Sequence, residues 1–225
     1  MMEKGTVCVF AKPPRSGKVK TRLVPEVGPE GASRLARAFF RDTWALVCAQ
    51  PWAIPVLATT SANRREWNLG SGAQIWQQGT GDLGERLGRV LRRGLVKSSF
   101  GIAIGMDTPG LPPALLEEAR QALQFGDAVL GPCEDGGFYL VGLRRCPVGL
   151  FANLPWSASD TFVRTLERFR ERGLGTKVLP PWFDVDRPND LACLRNLLSR
   201  GEIVAPETKR VLEELATMDG GASCA

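Results

Sequence analysis

Short β-branched or apolar runs alternate with longer amphipathic ones along this chain, and that alternation limits the fold more than any other feature. Residues 6–11 (TVCVFA) read as a buried strand, 53–59 (AIPVLAT) as a second, 74–77 as a short third and 101–106 (GIAIGM) as a fourth. Further strands are expected at 128–130, 138–142 and 176–179. Pro55 argues that the second strand is irregular or lies at an edge. Between them, residues 29–48 carry Ala32, Leu35, Ala36, Phe39, Phe40, Trp44 and Val47 at helical spacing. Residues 82–96 place Leu83, Leu87, Val90, Leu91 and Leu95 on one face. Helices are also expected over 112–123, 159–172, 189–198 and 206–216. Such alternation predicts a three-layer α/β/α arrangement, a mostly parallel sheet covered on both faces. With 225 residues, one domain spanning about 1–217 can bury a full core, leaving 218–225 as a frayed tail.

Parallel α/β sheets bind ligands at the carboxyl ends of their strands, so the residues just after each strand carry the functional information. The chain has no histidine, which excludes a Ser-His-Asp triad, an H-E-x-x-H zinc site and any imidazole base. Its six cysteines form no C-x-x-C pair, which argues against a zinc ribbon or thioredoxin motif. The first apolar run is too short for a signal-peptide core or a membrane span, and the expected compartment is the cytoplasm, with reduced thiols.

The net charge is +5, and residues 12–22 (KPPRSGKVKTR) hold five cations, Lys12, Arg15, Lys18, Lys20 and Arg22, with no acid. The whole excess is therefore one loop after the first strand. Nucleic-acid binding needs a wider basic face; a single loop suits a small anion such as the phosphates of one nucleotide. A mobile solvated loop is the alternative. The Walker A pattern is not met, because Val19 follows Lys18 where Ser or Thr is required.

Asp107 follows the fourth strand, either as a metal-binding carboxylate or as a turn residue bonding its own backbone. In FDVDRPND, Asp184 and Asp186 sit two apart and can face one side of an extended segment. Asp186 also fits as an N-cap, with Pro188 in the first helical turn. An oxygen-only site made by Asp107 and one of these aspartates would select Mg²⁺ or Mn²⁺. GPCEDGGFYL reads as a hairpin turn, or as a place where Gly136 and Gly137 admit a substrate while Glu134 and Asp135 bind its hydroxyls. Asp135 is a candidate general base. Trp156 is a stacking wall or a core filler, with Ser157 or Ser159 as the following helix cap. GTGDLG at residues 79–84 matches G-x-G-x-x-G, but the strand before it is polar and not first in the chain. That segment reads better as a helix start facing substrate than as a dinucleotide site.

The stretches VFAKPPRSGKVKTRL, GDLGERL, GMDTPGL, GPCEDGGFYLVGL, LPWSASDT and FDVDRPNDL together resemble, in order, a bacterial glycosyltransferase-like family. That family lies in the nucleotide-diphospho-sugar transferase superfamily (GT-A type) and is related to 2-phospholactate guanylyltransferase. The resemblance covers residues 6–197. It implies a Rossmann-like mixed sheet of about seven strands with one antiparallel. It implies nucleotide binding by Lys12, Arg15, Lys18 and Arg22, a metal on Asp107 and Asp186, and an acceptor or sugar pocket lined by Glu134, Asp135, Gly136 and Gly137. The first loop departs from the glycine-rich loop of sugar-nucleotide pyrophosphorylases: it has Pro13, Pro14 and a single Gly17.

Three functions follow as expectations. One is a Mg²⁺- or Mn²⁺-dependent transferase that moves a sugar from a nucleotide sugar to a small acceptor. Another is a nucleotidyltransferase that releases pyrophosphate from a nucleoside triphosphate. The third is a nucleotide-binding protein without catalysis. The base, the sugar, the acceptor and the oligomeric state are not written in these motifs.

Overall fold

The first strand, β1 (Gly5–Ala11), is buried along nearly its whole length. Its β-branched and aromatic side chains on both faces suit a strand covered above and below. The computed structural model describes residues 3–61 and 63–221. The other strands are β2 (Ala53–Thr59), β3 (Gln74–Gln77), β4 (Gly101–Gly105), β5 (Ala128–Pro132), β6 (Phe138–Leu143) and β7 (Thr176–Val178). They form one seven-stranded sheet in the order β3-β2-β1-β4-β6-β5-β7. β6 runs antiparallel to β4 and β5, and the remaining pairs are parallel. The expected mixed sheet with one reversed strand is present.

Among the described residues, six α-helices cover it: α1 (Val24–Cys48), α2 (Leu83–Leu95), α3 (Pro113–Phe125), α4 (Thr161–Glu171), α5 (Pro188–Ser199) and α6 (Pro206–Gly221). On one face Val7, Val9 and Ile102 pack with Phe40 of α1 and Leu116 of α3. On the other, Ala103 and Leu130 pack with Leu87 and Leu91 of α2 and Phe169 of α4. Outside the sheet layers, α5 and α6 close over α1 through Leu35, Phe39, Leu194 and Leu212. Full burial of a side chain such as Phe40 stabilises the fold by roughly 1.5–3 kcal/mol.

Two local features refine the sequence reading. α1 is kinked at Gly28 (φ 69°, ψ 167°), so its regular part starts at Pro29, as the hydrophobic spacing indicates. Pro55 lies in an interior strand, not an edge strand. However, β3 begins only opposite Val56, so β2 has no outer neighbour at Pro55 and the missing N–H costs no ladder bond there. α6 runs to Gly221, and the rest of the expected tail, 222–225, lies outside the described residues. Among the described residues, no helix is long and apolar enough to cross a membrane.

β2 and β3 lie on one side of β1, and β4, β6, β5 and β7 on the other. The order therefore reverses between β1 and β4, and a crevice opens above the carboxyl ends of these two strands.

Candidate functional site at the β1–β4 crevice

A cavity of about 590 Å³ occupies that crevice. Lys12 follows β1, Asp107 follows β4, and both line it together with Lys18, Lys20 and Asp186. Two distant segments reach the crevice by backbone bonds. The Val185 amide donates to the Asp107 carbonyl at 2.9 Å, which holds the DVD stretch against the end of β4. The basic loop folds back through a Lys18 amide bond to the Arg15 carbonyl at 3.0 Å, with Gly17 at φ 68°. Only glycine adopts that φ without strain.

Lys20 organises the centre. Its backbone is left-handed (φ 47°, ψ 40°), and only 4% of its side chain is exposed. The ammonium lies 2.8 Å from Asp107 Oδ1, donates to Asp186 Oδ1 at 2.7 Å, and donates to the Val185 carbonyl at 2.7 Å. Burial disfavours its charge, but the two carboxylates outweigh burial and raise its pKa. Each carboxylate keeps 41% of its side chain exposed, so both retain free oxygen surface. Two carboxylates gathered on one cation have the donor chemistry for a hard divalent ion.

The remaining sequence-predicted residues divide. Trp156 lines the cavity, edge-on to Phe138 with ring centroids 6.2 Å apart, and its buried Nε1 has no hydrogen-bond partner among the described residues. It is thus both wall and packing. Arg15 and Arg22 are not among the lining residues. Arg15 turns away, its Nε donating to Glu66 Oε1 at 2.8 Å, and Arg22 is exposed. Glu134 and Asp135 are exposed in the β5–β6 turn, where Asp135 Oδ1 accepts from the Gly137 amide at 2.8 Å. Gly136 has φ 88°, and a Cβ there would stand 1.9 Å from the Ser159 carbonyl oxygen. The close approach this glycine permits in the structure is by the protein's own chain.

Asp184 and Asp186 flank fully buried Val185, yet they serve different neighbours. Asp186 joins Lys20. Asp184 lies with Asp135 and Cys133, each offering a ligand atom within 4.8 Å of the others. Burial, then the charges of Asp135 and Asp186, raise the Asp184 pKa to about 6. Asp186 is not the N-cap of α5: Arg187 holds that position, and the Asp190 carboxylate accepts from the Asp186 and Arg187 amides at 3.0 and 2.7 Å. Nor does Ser157 or Ser159 cap α4, whose N-cap is Asp160. Ser157, at φ 64°, lines the cavity instead.

Sequence reasoning gave no site role to Gln78 or Arg86, and counted Lys20 only as one of five loop cations. Arg86 sits in the first turn of α2, lines the cavity and buries an Nε that has no hydrogen-bond partner among the described residues. The G-x-G-x-x-G stretch was the available signal. Its glycines carry the chain into the Asp82–Glu85 capping box that starts α2, and Leu83, Arg86 and Leu87 then face the cavity. The helix start does face the crevice, as expected.

Residues 43–158 match the family described as "Uncharacterized protein conserved in bacteria (DUF2064)". The chain belongs to this family. A crystal structure of a provisionally named nucleotide-diphospho-sugar transferase from Desulfovibrio desulfuricans is 30% identical and covers 96% of each chain, with a TM-score of 0.85. The fold is therefore that of the nucleotide-diphospho-sugar transferase structures. Two more distant structures share it. One is a CMP:2-keto-3-deoxy-manno-octonic acid synthetase complexed with CTP (13% identity, 88% of this chain and 99% of that one, TM-score 0.58). The other is a cytidylyltransferase from Leptospira borgpetersenii (12% identity, 98% and 96%, TM-score 0.57). No curated protein matches the sequence.

Proposed function

We propose that this protein is a divalent-metal-dependent transferase acting on a nucleotide-activated substrate, and specifically that it transfers a sugar from a nucleotide sugar to a small acceptor. The observation that carries the reading is the convergence of Asp107 and Asp186 on Lys20 in a cavity that Lys12 and Lys18 also line. The 30% identical structure, named for that chemistry, supports it.

Asp107 and Asp186 would hold Mg²⁺ or Mn²⁺, whose chemistry is to polarise phosphate oxygens and neutralise the charge of the leaving diphosphate. Lys12 and Lys18 bind the phosphates from the basic loop. Lys20 keeps the two carboxylates together and adds a cation where leaving-group charge develops. Trp156 and Ser157 wall the substrate, and Arg86 offers guanidinium donors at the α2 end. Asp135, with Glu134 beside it and Asp184 against it, does not line the cavity but would serve the acceptor from the β5–β6 turn, orienting or deprotonating the attacking hydroxyl.

Nucleotidyl transfer is the second reading. The fold shared with a CTP-bound synthetase supports it. The same residues would serve in-line attack at the α-phosphate. Product analysis separates the two. Purified protein with Mn²⁺ is incubated with nucleotide sugars or with nucleoside triphosphates and candidate acceptors. Nucleoside diphosphate released from a nucleotide sugar supports the first reading. Pyrophosphate released from a triphosphate, with no diphosphate from any nucleotide sugar, replaces it by the second.

A further inference from the structure

We propose that Cys133, Asp135 and Asp184 form a second cation site, separate from Asp107 and Asp186, which takes a thiophilic divalent ion of the Zn²⁺ class. One ligand atom from each residue lies within 4.8 Å of the other two. A tetrahedral ion bonded at about 2.0 Å to oxygen and about 2.3 Å to sulfur needs its two oxygens roughly 3.3 Å apart and each oxygen roughly 3.5 Å from the sulfur. The observed separations exceed that spacing by no more than about 1.5 Å.

The fold builds this cluster from supported parts. Cys133 follows β5, and its backbone bridges to Trp182, whose amide donates to the Pro132 carbonyl at 3.0 Å. That bridge sets the segment bearing Asp184 beside the β5–β6 turn. The Gly137 amide fixes Asp135 from the other side at 2.8 Å. Cys133 is only 9% exposed, and its sulfur has no hydrogen-bond partner among the described residues. A nearly buried thiol without a partner thus faces two carboxylates. The charge is also unbalanced. Among the described residues, neither Asp135 nor Asp184 forms an ion pair, because the Lys20 ammonium spends its bonds on Asp107, Asp186 and the Val185 carbonyl.

The ligand set decides the ion. Sulfur with two oxygens suits a borderline-soft dication, whereas the oxygen-only pair at Asp107 and Asp186 suits a hard one. On binding, the thiol proton leaves to solvent as the sulfur–metal bond forms. Three protein ligands leave a coordination position for water or a substrate oxygen. Asp135 and Asp184 would then act on an acceptor through the bound ion, not as free bases. The site itself does not rest on the transferase reading, since its test reads metal coordination and not turnover.

The test is a Co²⁺ titration of the full chain with Cys48, Cys193 and Cys224 replaced by Ser, so that no other exposed or terminal thiol contributes. The expected result is a near-ultraviolet thiolate-to-cobalt charge-transfer band that saturates, disappears in Cys133→Ser and survives in Asp107→Asn. Asp184→Asn should weaken Co²⁺ binding by about tenfold or more. This variant decides the matter if Cys133→Ser does not fold. Co²⁺ binding without the band, a band that persists in Cys133→Ser, an unchanged affinity in Asp184→Asn, or loss of the band in Asp107→Asn would each overturn the proposal. The last of these would make Asp107 a ligand of the sulfur-bound ion, so that the two sites are one.

Discussion

Lys20→Met replaces the ammonium by an apolar side chain of similar length and leaves Asp107 and Asp186 without their shared cation. At the observed 2.8 and 2.7 Å, each ammonium–carboxylate contact gains roughly 6 kcal/mol at an effective dielectric of about 20. Desolvating a side chain that is 4% exposed takes back several kcal/mol. Removing one partner of a buried pair typically costs about 3–5 kcal/mol. Here both carboxylates are 41% exposed and regain water, so the loss falls to roughly 2–3 kcal/mol. In a chain of this size each kcal/mol moves Tm by about 2–4 °C, which gives a fall of roughly 4–12 °C in metal-free buffer. The assay is calorimetry of wild type and variant, with EDTA and then with saturating Mn²⁺. Because a dication can replace the missing positive charge, Mn²⁺ should raise Tm more in Lys20→Met than in wild type. An unchanged Tm in EDTA, or a fall that Mn²⁺ does not reverse, would refute the reasoning.

Asp107→Asn and Asp186→Asn should each lower Mn²⁺-dependent nucleoside diphosphate affinity by at least about tenfold in isothermal titration. Lys18→Ala should weaken that binding and reduce its salt dependence. Arg15→Ala should leave it unchanged, because Arg15 is engaged with Glu66 outside the cavity. Asp184 carries a pH signature. Its folded pKa of about 6 lies above its ordinary 3.8, so the folded protein holds a proton that the unfolded chain gives up. That contribution to stability is full below the unfolded value and is lost as pH rises through about 6. Asp184→Asn should therefore flatten the metal-free stability curve across this window, by about 1–2 kcal/mol after allowance for partial exposure.

What the sequence made legible follows from how locally each feature is determined. Strand and helix periods depend on neighbours a few residues apart, so β1, α2, β4 and the start of the regular part of α1 near Pro29 could be read from spacing alone. Asp107 could be found because an apolar strand ends immediately before it. Lys20 could not be separated from the other four loop cations, since its role depends on a left-handed backbone that sends it inward. Arg15 and Lys18 are equivalent in sequence, and only Glu66, far along the chain, pulls one of them away. Asp184 and Asp186 share a face by period, but Lys20 claims one while the β5–β6 turn receives the other. Arg86 was hidden in a glycine pattern whose familiar meaning did not fit its position in the chain.

The central claim is that Asp107, Asp186 and the loop lysines hold one polyphosphate through a shared divalent ion. Crystals grown with Mn²⁺ and a nucleoside diphosphate, measured by anomalous scattering at the manganese edge, test it most directly. The account predicts a manganese peak bonded to carboxylate oxygens of Asp107 and Asp186, with the phosphates turned toward Lys12 and Lys18. A nucleotide bound outside the β1–β4 crevice, or bound inside it with manganese touching neither aspartate, would contradict it.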